Sequence, residues 1–186
     1  MLHTYSVIIQ PSPEVIQEVK KMKDVLFTEI GWYNSRNSLA HITLNEFECS
    51  NDQIEKIKEQ LSKIVLPFQT QEVVFDHFDH FANGAFFLAP NADSKQYFKT
   101  IMQEFHKKFN FKTTLKSTEP HLSIGRRITT ENIQKTYNCF SNKPQIRFNC
   151  DRLALRIFNT QRKQFDTIDE FLFGNTIQEN PQLCLF

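Results

Sequence analysis

The sequence predicts an α+β chain built as two copies of one unit, and two observations carry that prediction. Strand-like and helix-like segments recur in the same order with a period of about 80 residues. A four-residue pattern, His-apolar-hydroxyl-apolar, stands once in each copy, as His41-Ile42-Thr43-Leu44 and His121-Leu122-Ser123-Ile124. The spacing agrees as well: 37 residues separate Thr4 from His41, and 36 separate Ala85 from His121. The next helix opens ten residues after each motif histidine, at Asn51 and Glu131. Matched order at a fixed period is the mark of duplication, with the copies at about 1–81 and 85–173. Each copy alone is too small to bury much core, so the two are expected to pack as one domain over 1–186.

The elements follow in order. Thr4 to Gln10 is a β-branched run ended by Pro11-Ser12-Pro13. Ser12 caps a helix with Pro13 in its first position, and Val15, Val19, Met22 and Leu26 fall at helical spacing to about Ile30. Leu39 to Phe47 reads as a strand. Ser50-Asn51-Asp52-Gln53 resembles a capping box for a helix marked by Ile54, Ile57, Leu61 and Ile64 and closed by Pro67. Gln71 to Phe81 is extended, and Ala82-Asn83-Gly84 is a hairpin turn. The pattern then restarts. Ala85 to Ala89 is a strand ended by Pro90, and Ser94 is the expected cap of a helix bearing Phe98, Ile101, Met102, Phe105 and Phe109. Pro120 to Gly125 is a strand, and Thr130 opens a short helix through Ile133 and Tyr137, followed by Pro144. Gln145 to Phe158 and Phe165 to Phe173 read as two strands of a hairpin around Asn159-Thr160-Gln161-Arg162. The tail after Gly174 ends in the apolar residues Leu183, Cys184, Leu185 and Phe186, which could dock on the fold.

Composition narrows the function. Lys plus Arg is 22 and Asp plus Glu is 21, for a net charge of +1. A chain held on nucleic acid mainly by counterion release is normally more basic, so any RNA or nucleotide must be read in a local site. The four cysteines (Cys49, Cys139, Cys150, Cys184) form no Cys-x-x-Cys pair and read as reduced structural thiols. Four dispersed glycines leave no Gly-rich phosphate cradle, so chemistry on phosphate must come from side chains. No apolar stretch approaches the roughly 20 residues that span a bilayer, and the N-terminus lacks a signal peptide pattern. The expectation is a cytoplasmic monomer without a membrane.

The repeated motif carries the chemistry. In a strand, His and Thr or Ser at i and i+2 share one face, while the apolar residues between face a core. If the halves meet around a twofold axis, His41 with Thr43 and His121 with Ser123 converge on one cleft. Phosphodiester cleavage or formation needs that set: a neutral imidazole to take a proton from the attacking oxygen and a protonated one to supply the leaving oxygen. The hydroxyls can bond the non-bridging phosphate oxygens. This chemistry requires neither a metal nor an organic cofactor.

At these residues the sequence resembles the 2H phosphoesterase superfamily, which includes bacterial 2′-5′ RNA ligases and 2′,3′-cyclic phosphodiesterases. The resemblance covers nearly the whole chain. It implies two antiparallel β-sheets lining a central groove with helices outside, His41 and His121 as the acid/base pair, and Thr43 and Ser123 as phosphate ligands. The implied substrate is an RNA end or a nucleotide cyclic phosphate. The second motif continues Gly125-Arg126, as in many members; the first continues Asn45-Glu46, with no basic residue in the matching place. Two other readings compete with a cyclic phosphodiesterase or RNA ligase. One is a noncatalytic RNA- or nucleotide-binding module on the same fold. The other is a phosphodiesterase for a different ester, such as an ADP-ribose cyclic phosphate or a 2′-5′ oligoadenylate.

Further candidates surround the motif. Either Arg126 or Arg127 can touch phosphate: plain alternation puts Arg127 on the His121 face, and a bulge at Gly125 would select Arg126. Phe81 and Phe86 flank the hairpin turn and are candidates for stacking a base, ahead of Trp32, Tyr33 and Phe47. Nineteen phenylalanines nevertheless make core packing the default for each of them. His77 and His80 face opposite sides of a strand, a poor geometry for a shared metal. His106, beside Lys107 and Lys108, reads as a surface residue.

Overall fold

The computed structural model describes residues 2–140 and 142–174. In chain order its elements are β1 (Leu2–Ile9), α1 (Pro13–Ile30), β2 (Ile42–Ser50), α2 (Asn51–Val65), β3 (Gln71–His80), β4 (Phe86–Pro90) and α3 (Ala92–Lys108). Then come β5 (Thr113–Lys116), β6 (Leu122–Gly125), α4 (Thr130–Cys139), β7 (Ile146–Cys150), β8 (Arg152–Asn159) and β9 (Gln164–Leu172). The strands form two antiparallel sheets, ordered β5-β2-β1-β8-β9 and β6-β4-β3-β7. The apolar tail residues Leu183, Cys184, Leu185 and Phe186 lie outside the described residues.

Local chemistry sets most of the boundaries. Ser12 accepts from the Val15 N–H and Pro13 opens α1, whose Val15, Val19 and Leu26 are buried. The capping box at Ser50 and Gln53 forms as the sequence suggests. Ser94 does not cap α3. Asn91 does, through its Oδ1 on the Ser94 N–H, and the buried Ser94 hydroxyl takes the Val74 N–H at 2.9 Å, tying α3 to β3. The helix therefore begins earlier than serine capping implied, because asparagine fills the cap position equally well.

The stretch 145–158 is two strands, not one. The chain leaves the four-stranded sheet at Cys150 and enters the five-stranded sheet at Arg152, with Asp151 as the crossing. The crossing is pinned by Tyr97 Oη donating to the Cys150 carbonyl and by the Phe173 N–H donating to Asp151. Apolar alternation changes phase at the crossing, from Ile146, Phe148 and Cys150 to Leu153, Leu155 and Ile157, with the charged pair Asp151-Arg152 between them. β5, which extends the first sheet beyond β2, has mostly exposed side chains and carries no hydrophobic signal.

The first half lends β3 to the four-stranded sheet, and the second half lends β5, β8 and β9 to the five-stranded one. β3, at the end of the first half, lies beside β4, and β8, from the second half, lies beside β1. One hydrophobic cluster runs through both halves. The phenylalanine excess builds it. On α3 and just past its end, Phe98 packs on Phe75 of one sheet, while Phe105 stacks on Phe109, which reaches Phe47 of the other. Cys49 and Cys150 are buried thiols, and burial pushes Cys150 up to about 12, leaving it inert.

The hairpin between β3 and β4 turns on Gly84 at φ 78°, where the Gly84 carbonyl accepts from the Ile128 N–H at 2.9 Å. A Cβ there would lie 2.2 Å from the Ile128 carbonyl oxygen. Gly84→Ala must displace the chain that follows β6, and is expected to cost on the order of 2–4 kcal/mol. Thermal unfolding is the check, with Tm lower by roughly 5–15 °C. Gly31 shares the positive φ but has nothing within 4 Å of its would-be Cβ, so Gly31→Ala is expected to cost less. Equal losses for the two would contradict this account.

Candidate active site

The motif histidines stand immediately before β2 and β6, and each is fixed in the same way. His41 Nδ1 lies 2.7 Å from the Leu39 carbonyl oxygen, and His121 Nδ1 lies 2.8 Å from that of Glu119. A carbonyl can only accept, so Nδ1 carries the hydrogen in both rings and Nε2 is left with its lone pair. Both imidazoles are thus preset to accept a proton at the same atom. His121 lies close enough that its charge lowers the pKa of His41.

Each motif strand then makes the same irregularity. β2 sets Thr43 against Ile8 and Asn45 against Val7, leaving Leu44 as an extra residue. β6 sets Ser123 against Phe87 and Gly125 against Phe86, leaving Ile124 as the extra residue. Both extra side chains are fully buried, which anchors the bulges. A bulge reverses the alternation beyond it. Arg126 is therefore returned to the side of His121 and Ser123, and its guanidinium lowers the His121 pKa. Arg127 instead occupies a left-handed turn position at φ 56°. The bulged alternative holds, and Arg126 is the arginine near the site.

The two motifs are joined directly. The Arg126 N–H donates to the Asn34 carbonyl at 3.0 Å, linking the segment after His121 to the loop that leads into His41. That loop is held from beneath by Lys23, 2% exposed, whose ammonium donates to the carbonyls of Ser35 and Ser38 and to the Ser38 hydroxyl. Burial, aided by the Arg36 charge, lowers Lys23 to about 8, and its three acceptors offset the cost of placing a cation there. Lys23 thereby positions Leu39 and, through it, His41.

Phe81 and Phe87 stand around His121. Phe81 meets the imidazole edge to face at 5.2 Å, Phe87 lies 5.0 Å from it, and the two phenyl rings are 4.4 Å apart. Phe81 is partly exposed and remains available to a planar ligand. Phe86 does not: it is fully buried on the opposite face, packed on Phe78, Tyr137 and Phe140. Of two adjacent phenylalanines in one strand only one can face the cleft, and the register chose Phe87. Tyr33 and Phe47 are buried, and Trp32 is exposed on the loop that carries Asn34. His77 bonds Asp76, and His80 turns to the Tyr137 hydroxyl of α4. His106 is partly buried, with Nε2 on the Ser117 carbonyl at 2.8 Å, and is not the free surface residue the sequence suggested.

Sequence reasoning missed Arg156. The register aligns Glu46, Ser6 and Arg156 across β2, β1 and β8, one step along the site face from Thr43, Ile8 and Ala154. Arg156 is 6% exposed, donates to Ser6 Oγ at 3.2 Å and lies over the Phe165 ring, while its Nε has no hydrogen-bond partner among the described residues. A lone arginine between Leu155 and Ile157 of an apolar run was its only signal. Burial drives the His41 pKa well below 6.5, the Arg156 charge adds to this, and Lys23 and His121 push the same way. His121 is lowered chiefly by burial. Arg156→Met is expected to raise the His41 pKa and move the pH profile of kcat/KM toward alkaline pH, with Arg156→Lys keeping most of the wild-type profile. An unmoved profile for Arg156→Met would show that the guanidinium does not act on His41.

Known structures show the same architecture. Escherichia coli LigT complexed with phosphate superposes with a TM-score of 0.66 at 12% identity, covering 92% of this chain and 98% of that one. LigT complexed with 3′-AMP gives 0.65 at 12% identity over the same shares. A Thermus thermophilus protein, TT0787, gives 0.60 at 11% identity, again over 92% and 98%. No curated protein sequence matches. The model of the 2′-5′ RNA ligase superfamily matches residues 11–162. The chain belongs to that superfamily.

Proposed function

We propose that the protein is a metal-independent phosphoesterase that opens, or in reverse forms, a cyclic or 2′-5′ phosphodiester of RNA or a nucleotide. The carrying observation is the pair of imidazoles, each with Nδ1 tied to a backbone carbonyl and Nε2 left as the working atom. One imidazole takes a proton from water as the water oxygen bonds to phosphorus. The other, protonated, gives its proton to the ribose oxygen as the phosphorus–oxygen bond breaks. The product is a ribose phosphate monoester with one hydroxyl freed, the class of molecule to which 3′-AMP belongs. With the 5′-hydroxyl of a second chain attacking the cyclic phosphate in place of water, the same two proton transfers break the bond to the 3′-oxygen, which takes the proton, and leave a 2′-5′ phosphodiester. Thr43 and Ser123, on the faces of their histidines, would hold the non-bridging oxygens, with Arg126 beside them and Phe81 beneath a base.

The test is hydrolysis of the four nucleoside 2′,3′-cyclic monophosphates in the presence of EDTA. Turnover indifferent to chelator supports the proposal. Binding without turnover, for these and for RNA ends, would favour a noncatalytic nucleotide-binding module.

The pH dependence follows from the site. One histidine must be protonated and one neutral, and both are held below 6.5 in the ligand-free protein. The profile of kcat/KM is therefore expected to peak below pH 6.5 and to fall about tenfold per pH unit above the peak. A bound phosphate anion favours the imidazolium, so the alkaline limb of kcat should lie at higher pH than that of kcat/KM. A kcat/KM profile that stays flat to pH 8 would contradict the assignment.

A further inference from the structure

The two halves carry different residues at matching places of the site. Thr43 stands opposite Ile8, which stands opposite Ala154; Ser123 stands opposite Phe87, which stands opposite Asp79. The two rows are equivalent under the duplication. Two residues beyond Asp79 is Phe81, which meets the His121 ring at 5.2 Å. Two residues beyond Ala154 is Arg156. Likewise Arg126 follows His121 by five residues, past the bulge at Ile124, and Glu46 follows His41 by five, past the bulge at Leu44. The second half thus presents a phenyl ring and, after β6, a cation. The first presents a carboxylate on β2 and has its cation on β8 instead.

Arg156 is poorly compensated where it stands. A guanidinium has five N–H donors in a fixed plane. Among the described residues Arg156 uses them in one hydrogen bond, to the neutral Ser6 hydroxyl, and the Phe165 ring covers one of its faces. Among the same residues no ion pair joins it to Glu46, the acid whose charge reaches it. Burial pushes Arg156 down to about 10, so it remains a cation at neutral pH. Lys23 shows what a purely internal cation looks like in this protein: its ammonium has three oxygen acceptors. A guanidinium only 6% exposed with one neutral acceptor is costly unless an anion completes its surroundings. Arg156 is close enough for its charge to act on His41, so the anion at hand is the one that the histidines handle.

We propose that Arg156 is a phosphate ligand of the reacting centre, its guanidinium bonding a non-bridging oxygen on the Thr43 side and so seating the ester with its base toward Phe81 of the other half. This role rests on the phosphoesterase reading of the site. Its consequence is a fixed sense of binding. Two identical halves could take the ester either way round; a guanidinium in one half and a phenyl ring at the matching place in the other select one orientation.

Isothermal titration calorimetry with inorganic phosphate and with a nucleoside 3′-monophosphate reads this contact without needing turnover. Arg156→Met, which keeps an apolar stem on Phe165, should weaken both by about 10–10²-fold. Arg156→Lys should fall between, because the charge stays and the planar fork is lost. Removing the cation also makes His41 more basic, which by itself favours a bound anion, so weaker binding cannot come from the ring. Glu46→Gln leaves Arg156 in place and guards against a misfolded Arg156 variant. It should tighten phosphate binding by about 2–10-fold, since a carboxylate whose charge reaches the guanidinium opposes a second anion there. Nucleotide binding that is unchanged in Arg156→Met, or phosphate binding no tighter in Glu46→Gln, overturns the role of Arg156 and leaves the phosphoesterase reading standing. A wild-type protein that binds neither probe overturns both.

Discussion

Replacing His41 or His121 with alanine is expected to lower kcat/KM for a 2′,3′-cyclic nucleotide by about 10²–10⁴-fold in each case. The size follows from the proposed role, in which each imidazole moves one proton in the transition state, and no other side chain described around the motifs is held by the same carbonyl anchor. The two losses should not multiply. Once one proton transfer is gone, the partner acts in a transition state of a different kind, so the double variant is expected to resemble the worse single variant. Neither change should unfold the protein, because both rings are only partly buried and each anchors through a single hydrogen bond. Full activity in either single variant, on a substrate that wild type turns over, would rule out the two-histidine mechanism.

Thr43→Ala and Ser123→Ala are expected to cost about 10–10³-fold each, mostly in kcat. The hydroxyls sit on the strand face of their histidines, held by Leu44 and Ile124, the buried residues of the two bulges. Charge on the non-bridging oxygens grows as the new phosphorus–oxygen bond forms, so a donor fixed in advance works harder in the transition state than in the bound substrate. Swapping the two residue types, Thr43→Ser and Ser123→Thr, keeps the donor and should retain most activity. Steady-state kinetics on the four variants checks this. Alanine variants that raise KM alone would place the hydroxyls in binding and not in transition-state stabilisation.

Much of this arrangement was legible in the amino-acid sequence because the chain states it twice. His41 with Thr43 and His121 with Ser123 are each a local pattern, and local alternation is enough to put each pair on one face. The bulges at Leu44 and Ile124 were harder, since register depends on a partner strand that the pattern does not name. That is why the choice between Arg126 and Arg127 needed the fold, and why Phe87 and not Phe86 faces His121. Arg156 was hidden for a different reason. It comes from β8, which enters the first sheet from the far end of the chain after Asp151, and nothing local to that strand names β1 as its neighbour. Lys23 shares its helix with Lys20 and Lys21, and only the loop at Ser35 and Ser38 reveals it as a buried cation. Features encoded within a few residues could be read directly; those that need two distant strands in register could not.

The central claim is that His41 and His121, both hydrogen-bearing at Nδ1 and both titrating below 6.5 in the free protein, act on one phosphate, with one of them protonated there. Nitrogen-15 NMR of the imidazole side chains, titrated with pH and then with a nucleoside 3′-monophosphate, measures all three properties. The account predicts Nδ1–H tautomers for both rings, midpoints below 6.5 in the free protein, and upward movement of the pair when the nucleotide binds. A nucleotide that perturbs only one ring, or a free-protein midpoint above 6.5 for both, would contradict it.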